Sequence, residues 1–196
     1  MAAGEGRSKA RERPTSHTLY DRTVRTVVSH GERTGHLEVT VTLQDDCLGL
    51  GGYRRVHDMR LFVEIRQSDL EIVRAEADMS AHPHMACVST IPDVQRLLGL
   101  RIAGGVNAEL RSRLGGSRSC NHLHTMAQSA AQTVALSHVS SLQDEDPIFQ
   151  QSDYAPFYRR AIELAPRVVN TCAVWRADGP VVPDLTRKPP SGRTTP

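Results

Sequence analysis

The chain of 196 residues lacks the features that mark several large classes of protein. Its 24 basic side chains nearly balance its 22 acidic ones, and no basic run alternates with aromatic residues, so a nucleic-acid partner is disfavoured. The N-terminus has no apolar signal-peptide core, and no apolar run approaches the roughly 20 residues that span a bilayer. We therefore expect a cytoplasmic protein with no membrane partner.

Aromatic residues and familiar catalytic motifs are also scarce. Three Phe, four Tyr and one Trp leave little material for an aromatic-lined pocket. The chain has no Gly-x-Ser-x-Gly or His-Glu-x-x-His motif, and the adjacent glycines of "LRIAGGV" do not form a phosphate-binding loop. Common hydrolase and nucleotide-binding classes therefore lose support.

Cysteine is sparse as well, whereas histidine is not. The four cysteines are spread along the chain, and in a reducing compartment such cysteines are thiols or metal ligands rather than disulfides. Nine histidines are the more unusual count, and several of them become candidate site residues.

Composition divides the chain into a folded part and two tails. Residues 1–17 are charged and contain Gly and Pro, and residues 178–196 are rich in Pro, Gly and Thr. Because segments of this composition bury little apolar surface, we predict disordered tails on either side of a single domain at residues 18–177.

The first half of that domain alternates apolar and polar residues with a period of two. In "HLEVTVTLQ" every second residue from Leu37 to Leu43 is apolar, as in a strand with one buried face. The pattern predicts two hairpins with strands in "LYDRTVRTVVSH", "HLEVTVTLQ", "HDMRLFVEIRQ" and "EIVRAEADMSA". The glycine-rich "DDCLGLGGYRR" between the hairpins predicts a loop.

The second half changes to helical spacing. Helices are predicted in "IPDVQRLLGL", in "GVNAELRSRLGG", in the stretch from Gly115 to Ser137 and in "YAPFYRRAIELAP", while "RVVNTCAVWRA" suits an edge strand. Strands followed by helices predict an α+β fold, with an antiparallel sheet of about four strands and a helical layer packed on one face.

Chemistry-bearing residues gather at the predicted start of the third helix, in "SCNHLH". If this helix begins near Asn121, Cys120 lies at its amino end, where free backbone donors and the helix dipole favour a thiolate. His124 is four residues on and can share a helix face with Cys120, whereas His122 points elsewhere unless the first turn is distorted. A polar helix cap with ordinary histidines is the plainer interpretation of the same letters.

The second hairpin brings further polar residues to one end of the sheet. Pairing Gln67 with Leu70 places His57 opposite Ser80, so His57 and Asp58 lie beside "AHPHMAC". His57 has the parity of the apolar residues of its strand and is therefore predicted to face the core. It is either a core histidine bonded to the backbone or a ligand or general base.

The segment "SAHPHMAC" offers two more candidates, His84 and Cys87. A His-x-His pair on an extended segment can chelate zinc or iron, and His84 is the second member of such a pair. Cys87 comes just before a predicted helix, as Cys120 does. Surface histidines and a buried inert thiol are the alternatives.

Four quoted segments, "VHDMRLFVEI", "AEADMSAHPHMAC", "LLGLRI" and "LGGSRSCNHLHTM", together resemble a bacterial family catalogued as domain of unknown function 2889 (DUF2889). The resemblance covers about residues 20 to 137. It implies that the polar residues shared by the family fall on His57, Asp58, Pro83, Cys87, Cys120 and His122. His84 stands where relatives often have Tyr, and His124 and Thr125 replace the usual Thr and Glu. The order of elements is also similar in layout to the SufE/NifU-like sulfur and iron–sulfur scaffold fold.

Together these features predict a small-molecule enzyme with a site between the second hairpin and the third helix. Asp58, Cys120 and His122 are the candidate catalytic residues, with Asp58 as an orienter or base. The candidate ligands of a divalent metal, zinc or iron, are His57, His84, Cys87, Cys120, His122 and His124.

The expected chemistry is a metal-assisted lyase or hydrolytic reaction on an oxygenated organic substrate. A metal-free variant would use Cys120 as a nucleophile and a nearby histidine as its base. The alternatives are a non-enzymatic carrier of sulfur or of a metal cluster, and a module without activity whose cysteines and histidines serve a polar core. A homodimer is one option for the assembly.

Overall fold

A computed structural model describes residues 18–49, 52–141, 154–164, 166, 169–170 and 172–186. The first elements are four strands, β1 (Tyr20–His30), β2 (His36–Gly49), β3 (Gly52–Arg66) and β4 (Glu71–Ala81). They form one antiparallel sheet in the order β1-β2-β3-β4. Both predicted hairpins are present, and β2 also pairs with β3, so the sheet is a continuous meander.

The alternation of the strands gives the sheet one apolar face. On β2 every second residue from Leu37 to Leu43 is at most 2% exposed. On β3 the same applies to the alternate residues from Met59 to Ile65, again as the period of two predicts. These side chains form the core together with buried residues of the helices.

A helical layer follows the strands. It consists of a 3₁₀ segment (Met85–Leu97), α1 (Val106–Leu114), a short 3₁₀ turn (Gly116–Arg118) and α2 (Asn121–Ser141). Helix α2 lies against β1, β2 and β3, and the 3₁₀ segment lies against β4. Small buried residues let α2 approach the sheet, namely Ala127, Ala130 and Ala131. The α+β prediction is confirmed.

The loop predicted in "DDCLGLGGYRR" was wrong for the described residues of that segment. Strand β2 continues to Gly49 and β3 begins at Gly52, so these two glycines end the strands of a long hairpin. Asp46 pairs with Arg55 and Leu48 with Tyr53 across that hairpin, which satisfies backbone groups that a loop would expose to water. As a result, Asp45 and Asp46 belong to a strand.

The predicted register of the second hairpin is correct near its turn and shifted at its far end. Arg66 pairs with Glu71, as expected, but irregularities follow between Glu64 and Ile65 and between Asp58 and Met59. Asp58 is therefore opposite Ala81 rather than Met79. The pairs from Met59 to Glu64 are displaced by one residue and Asp58 by two, because each irregularity leaves one extra residue on β4. The core-facing residues of β3 keep their period of two.

The later part of the chain is described in pieces. Helix α3 (Tyr154–Leu164) confirms the fourth predicted helix, and a short α4 spans Val182–Thr186. The edge strand expected in "RVVNTCAVWRA" was wrong for its described residues: they form turns, and Trp175 packs on Tyr158 of α3 instead of a strand pairing. Residues 1–17 and 187–196 of the predicted tails lie outside the described residues.

No helix in the described part of the chain is long and apolar enough to cross a lipid bilayer.

Candidate metal centre at the end of the sheet

The candidate site starts as a row of residues across three strands. Arg22 of β1 is opposite Asp45 of β2, and Asp45 is opposite His57 of β3. Residues directly opposite each other in a sheet share a face. Asp45 continues the buried alternation of Leu43, so the row lies on the face that α2 covers.

Asp45 is the centre of this row. It is fully buried, and Arg22 donates two hydrogen bonds to its carboxylate, from Nε to Oδ1 at 2.6 Å and from Nη2 to Oδ2 at 2.8 Å. Burial raises the pKa of Asp45, but hydrogen bonds from Arg22, Tyr20 and His57 outweigh it and lower the pKa to about 2. The carboxylate is therefore ionised at neutral pH and is paired with a cation, as a buried charge must be.

His57 is held by the same carboxylate. Its Nδ1 lies 2.8 Å from Asp45 Oδ2, and the residue is 9% exposed. The prediction that His57 faces the core is confirmed. The hydrogen-bond partner of His57 is thus a side-chain carboxylate and not a backbone carbonyl. Because Nδ1 faces this carboxylate, Nε2 is the ring nitrogen left for another partner.

Helix α2 brings His122 onto the row. The rings of His57 and His122 have centroids 4.0 Å apart at an interplanar angle of 41°, and His122 Nε2 lies 3.6 Å from Asp45 Oδ2. Burial lowers the pKa of His122, and the charges of His57 and Arg22 lower it further against the opposing effect of Asp45. The neutral imidazole, which is the form that binds metals, is therefore favoured.

These side chains meet at one point. One ligand atom from each of Asp45, His57 and His122 can be chosen so that all lie within 4.8 Å of one another. Ligands about 2.0–2.2 Å from a zinc ion are separated by roughly 3–4 Å, so small side-chain movements would complete a site. Two imidazoles and a carboxylate are a donor set that suits zinc or iron(II).

Cys120 contacts this cluster through His122. Helix α2 begins at Asn121, as predicted, and the backbone N–H of His124 donates to the carbonyl of Cys120 at 3.1 Å. Cys120 Sγ lies 3.7 Å from His122 Nδ1. Helical spacing alone allowed Cys120 to share a face with His124, but the contact is with His122, because a residue that caps a helix does not follow the spacing of residues inside it.

Asp58 lies outside the cluster. Its carboxylate accepts hydrogen bonds from Arg55 at 3.4 Å and from the amide of Gln44 at 3.3 Å. Neighbouring residues of a strand point to opposite faces, so His57 and Asp58 diverge. In this geometry Asp45 orients His57, which is the role that the sequence had suggested for Asp58.

The remaining candidates occupy other positions. His84 is exposed, and its Nδ1 accepts a hydrogen bond from the N–H of Ala86 at 3.0 Å, which caps the 3₁₀ segment. Cys87 is half-buried against the core. His124 Nε2 is buried without a hydrogen-bond partner among the described residues. Within the described part of the chain, none of these three joins the cluster of ligand atoms.

Asp45 is the site residue that sequence reasoning missed. The sequence signal for Asp45 is the period-two alternation of β2. The alternation places the inward-facing residues at Leu37, Val39, Val41 and Leu43, and position 45 is the next in this series. Three nearby glycines made the segment look like a loop and hid that continuation.

Comparison with known proteins gives one family and no individual relative. No curated protein and no solved structure matches the chain, so the layout similarity to the SufE/NifU-like scaffold fold is without support and stays a prediction. A family model described as "Protein of unknown function (DUF2889)" matches residues 20–136, a range that contains Arg22, Asp45, His57 and His122. The chain belongs to the DUF2889 family.

Proposed function

We propose that this protein is a small-molecule enzyme that uses a divalent cation, zinc or iron, for lyase or hydrolytic chemistry on an oxygenated organic substrate. One observation carries the proposal: ligand atoms of Asp45, His57 and His122, from two strands and a helix, lie within 4.8 Å of one another. Burying ionisable groups together costs stability, so a concentration of them in one place favours a functional explanation.

The donor atoms of the cluster suit a divalent cation. Asp45 supplies an ionised carboxylate, whose charge Arg22 balances, and the lowered pKa of His122 favours a neutral nitrogen ligand. Arg22 holds both carboxylate oxygens and so fixes the direction of the free lone pairs. When bound, the cation would supply Lewis acidity toward an oxygen of the substrate.

Exposure indicates where a substrate would approach. The side chain of Asp45 is 0% exposed, whereas those of Arg22 and His122 are 38% and 21% exposed. The cluster is thus closed from the core side and open beside Arg22 and His122. A small molecule reaching the cluster would pass these two side chains.

The setting that we propose agrees with the sequence expectations. The enzyme would act in the cytoplasm on a small-molecule substrate, without a nucleic-acid or membrane partner. A homodimer stays a prediction.

Elemental analysis of the purified full chain tests the metal centre. We expect one zinc or iron per chain, and we expect His57→Ala and His122→Ala each to lose it. His84→Ala is the matched control and should retain the metal, because His84 is an exposed cap outside the cluster. Equal metal content in all four proteins, or none in the wild type, contradicts the proposal.

Turnover tests the enzymatic part. The metal-loaded protein should act on some member of a panel of carboxylic esters, lactones and hydroxy acids, and a chelator should remove that activity. Persistent failure across the panel, with metal bound and the labile sulfur of a cluster detected, would favour the carrier alternative. The converging nitrogen and oxygen atoms argue for a single cation over an iron–sulfur cluster, which thiolates hold.

A second candidate function is metal-free nucleophilic catalysis by Cys120. Cys120 Sγ lies 3.7 Å from His122 Nδ1, and His122 Nε2 lies 3.6 Å from Asp45 Oδ2, which is the order nucleophile, base and orienting acid. This mechanism predicts activity that survives chelation and disappears in Cys120→Ser. Activity that requires the metal in Cys120→Ser as in the wild type would exclude it.

A further inference from the structure

The two ring nitrogens of His122 face different partners. Nε2 is 3.6 Å from Asp45 Oδ2, and Nδ1 is 3.7 Å from Cys120 Sγ. The lone-pair directions of the two imidazole nitrogens diverge, so the sulfur lies on the side of the ring away from the carboxylate. Accordingly, within the described residues the converging ligand atoms come from Asp45, His57 and His122 and not from Cys120.

We infer that Cys120 is a positioning residue of the metal centre: its sulfur accepts a hydrogen bond from Nδ1–H of His122 while Nε2 of the same ring binds the cation. This inference rests on the proposed metal centre. A metal-binding histidine commonly donates its second N–H to an acceptor that fixes the tautomer and the ring orientation. That acceptor is usually a carboxylate, a backbone carbonyl or water, and here it is a thiol sulfur.

The structure holds Cys120 in place for this role. Its carbonyl receives the first hydrogen bond of α2, from the N–H of His124, and its side chain packs against the core. Sulfur also forms hydrogen bonds at longer range than oxygen, so 3.7 Å to nitrogen is a bonding distance for Cys but not for Ser. Cys120→Ser would keep the polarity and lose the contact.

Cobalt(II) substitution tests the inference in the full chain. Tetrahedral cobalt(II) gives visible d–d bands, and a thiolate ligand adds an intense near-ultraviolet charge-transfer band. We expect the wild type to show d–d bands without the charge-transfer band. Cys120→Ala and Cys120→Ser should each bind zinc about 10 to 100 times more weakly and should shift the d–d bands of cobalt.

Cys87→Ala is the control, since Cys87 is another half-buried thiol packed against the core. It should leave zinc affinity and the cobalt spectrum unchanged. Thermal unfolding identifies variants that fail to fold, and either Cys120 variant suffices for the comparison.

The outcomes separate this inference from the metal centre itself. A charge-transfer band that disappears in Cys120→Ala would make Cys120 a direct ligand and overturn the inference, with the metal centre intact. Unchanged affinity and d–d bands in both Cys120 variants would also overturn it. A wild type that binds neither zinc nor cobalt overturns the metal centre and the inference together.

Discussion

At the scale of single residues, the site depends on Asp45. Its carboxylate contacts Arg22 of β1, His57 of β3 and His122 of α2, so one side chain joins every element that builds the cluster. Burial of this charge is tolerated because Arg22 supplies two charge-assisted hydrogen bonds.

Removal of Arg22 should therefore be costly. We expect Arg22→Gln to lower the free energy of unfolding by about 2 kcal/mol, since it leaves a buried carboxylate without its cation while Arg22 itself is partly solvated. Urea unfolding at pH 7 measures the change. Arg74→Gln, which breaks the exposed pair with Glu76, is the control and should cost about 0.5 kcal/mol or less. Equal effects of the two substitutions would contradict this account of Asp45.

The pKa of Asp45 gives a prediction for acid stability. The pKa of Asp45 is about 2 in the folded chain and 3.8 ordinarily, so the unfolded state takes up the proton first as the pH falls. The stabilisation by Asp45 is complete above about pH 5 and is lost between about pH 5 and pH 1, a difference on the order of 2 kcal/mol.

Urea unfolding of metal-free protein across that pH range checks the sign. The wild type should lose stability more steeply than Asp45→Asn as the pH falls, because the variant has no carboxyl group to protonate at this position. Parallel curves for the two proteins would show that Asp45 does not titrate as described.

The residues of the site were accessible to sequence reasoning to different degrees. The inward facing of His57 followed from parity alone, and burial confirms it. Asp45 was missed because the glycines of that segment predict a loop whereas the alternation predicts a strand. The strand forms because β2 pairs with β3 there, and this long-range contact is not visible in the local sequence. Helical spacing alone allowed Cys120 to pair with His124, whereas the family resemblance put Cys120 and His122 together, and the contact of 3.7 Å is with His122.

At the scale of elements, α2 sets the position of His122. Buried alanines let it lie close to the sheet, and Thr26 Oγ1 and Ser129 Oγ form a hydrogen bond of 2.7 Å between β1 and α2. The distance of His122 from the strand row therefore depends on residues roughly one and a half to two and a half turns further along the helix.

Overpacking of the contact between α2 and the sheet at Ala131 should affect both stability and metal binding. Ala131→Leu should lower the free energy of unfolding by about 1–3 kcal/mol, because Ala131 is 3% exposed and the added atoms have no room. It should also weaken zinc binding, measured by competition with a chromogenic chelator. The larger side chain pushes α2 away from the sheet and so moves His122 away from Asp45 and His57.

Gln132→Leu places the same side chain on the exposed side of α2 and is the matched control. Its unfolding free energy and zinc affinity should stay close to those of the wild type. Comparable losses in the two variants would indicate a general effect on α2 in place of a packing effect.

Element boundaries were predicted best where local pattern and tertiary packing agree. The start of α2 at Asn121 and the span of α1 followed from capping and helical spacing. The 3₁₀ segment starts at Met85, earlier than "IPDVQRLLGL" suggested, because His84 caps it. The β-rich stretch near Cys172 forms turns instead of an edge strand, and Cys172 is exposed. Strand pairing is a long-range contact that local pattern cannot supply.

At the scale of the whole molecule, the site and the family region coincide. The DUF2889 match spans residues 20–136, which covers the four strands and α2 up to Leu136. The residues of the metal centre that we propose therefore all lie within the matched region.

A cation bound between β2, β3 and α2 should stabilise the fold as a whole. Zinc at about 100 times its dissociation constant should add about 2.7 kcal/mol to the unfolding free energy, provided that the unfolded chain does not bind it. For a chain of this size that is an increase in Tm of roughly 5–10 °C. Differential scanning calorimetry should show this increase in the wild type and not in His122→Ala.

The most direct test of the central claim is anomalous scattering from a crystal of the untreated full chain, recorded at the zinc and iron absorption edges. The account predicts one peak, about 2.0–2.2 Å from ligand atoms of Asp45, His57 and His122, with Cys120 Sγ beyond bonding distance of the metal. A cluster without an anomalous peak, or a peak held by Cys87 and Cys120 instead, would contradict it.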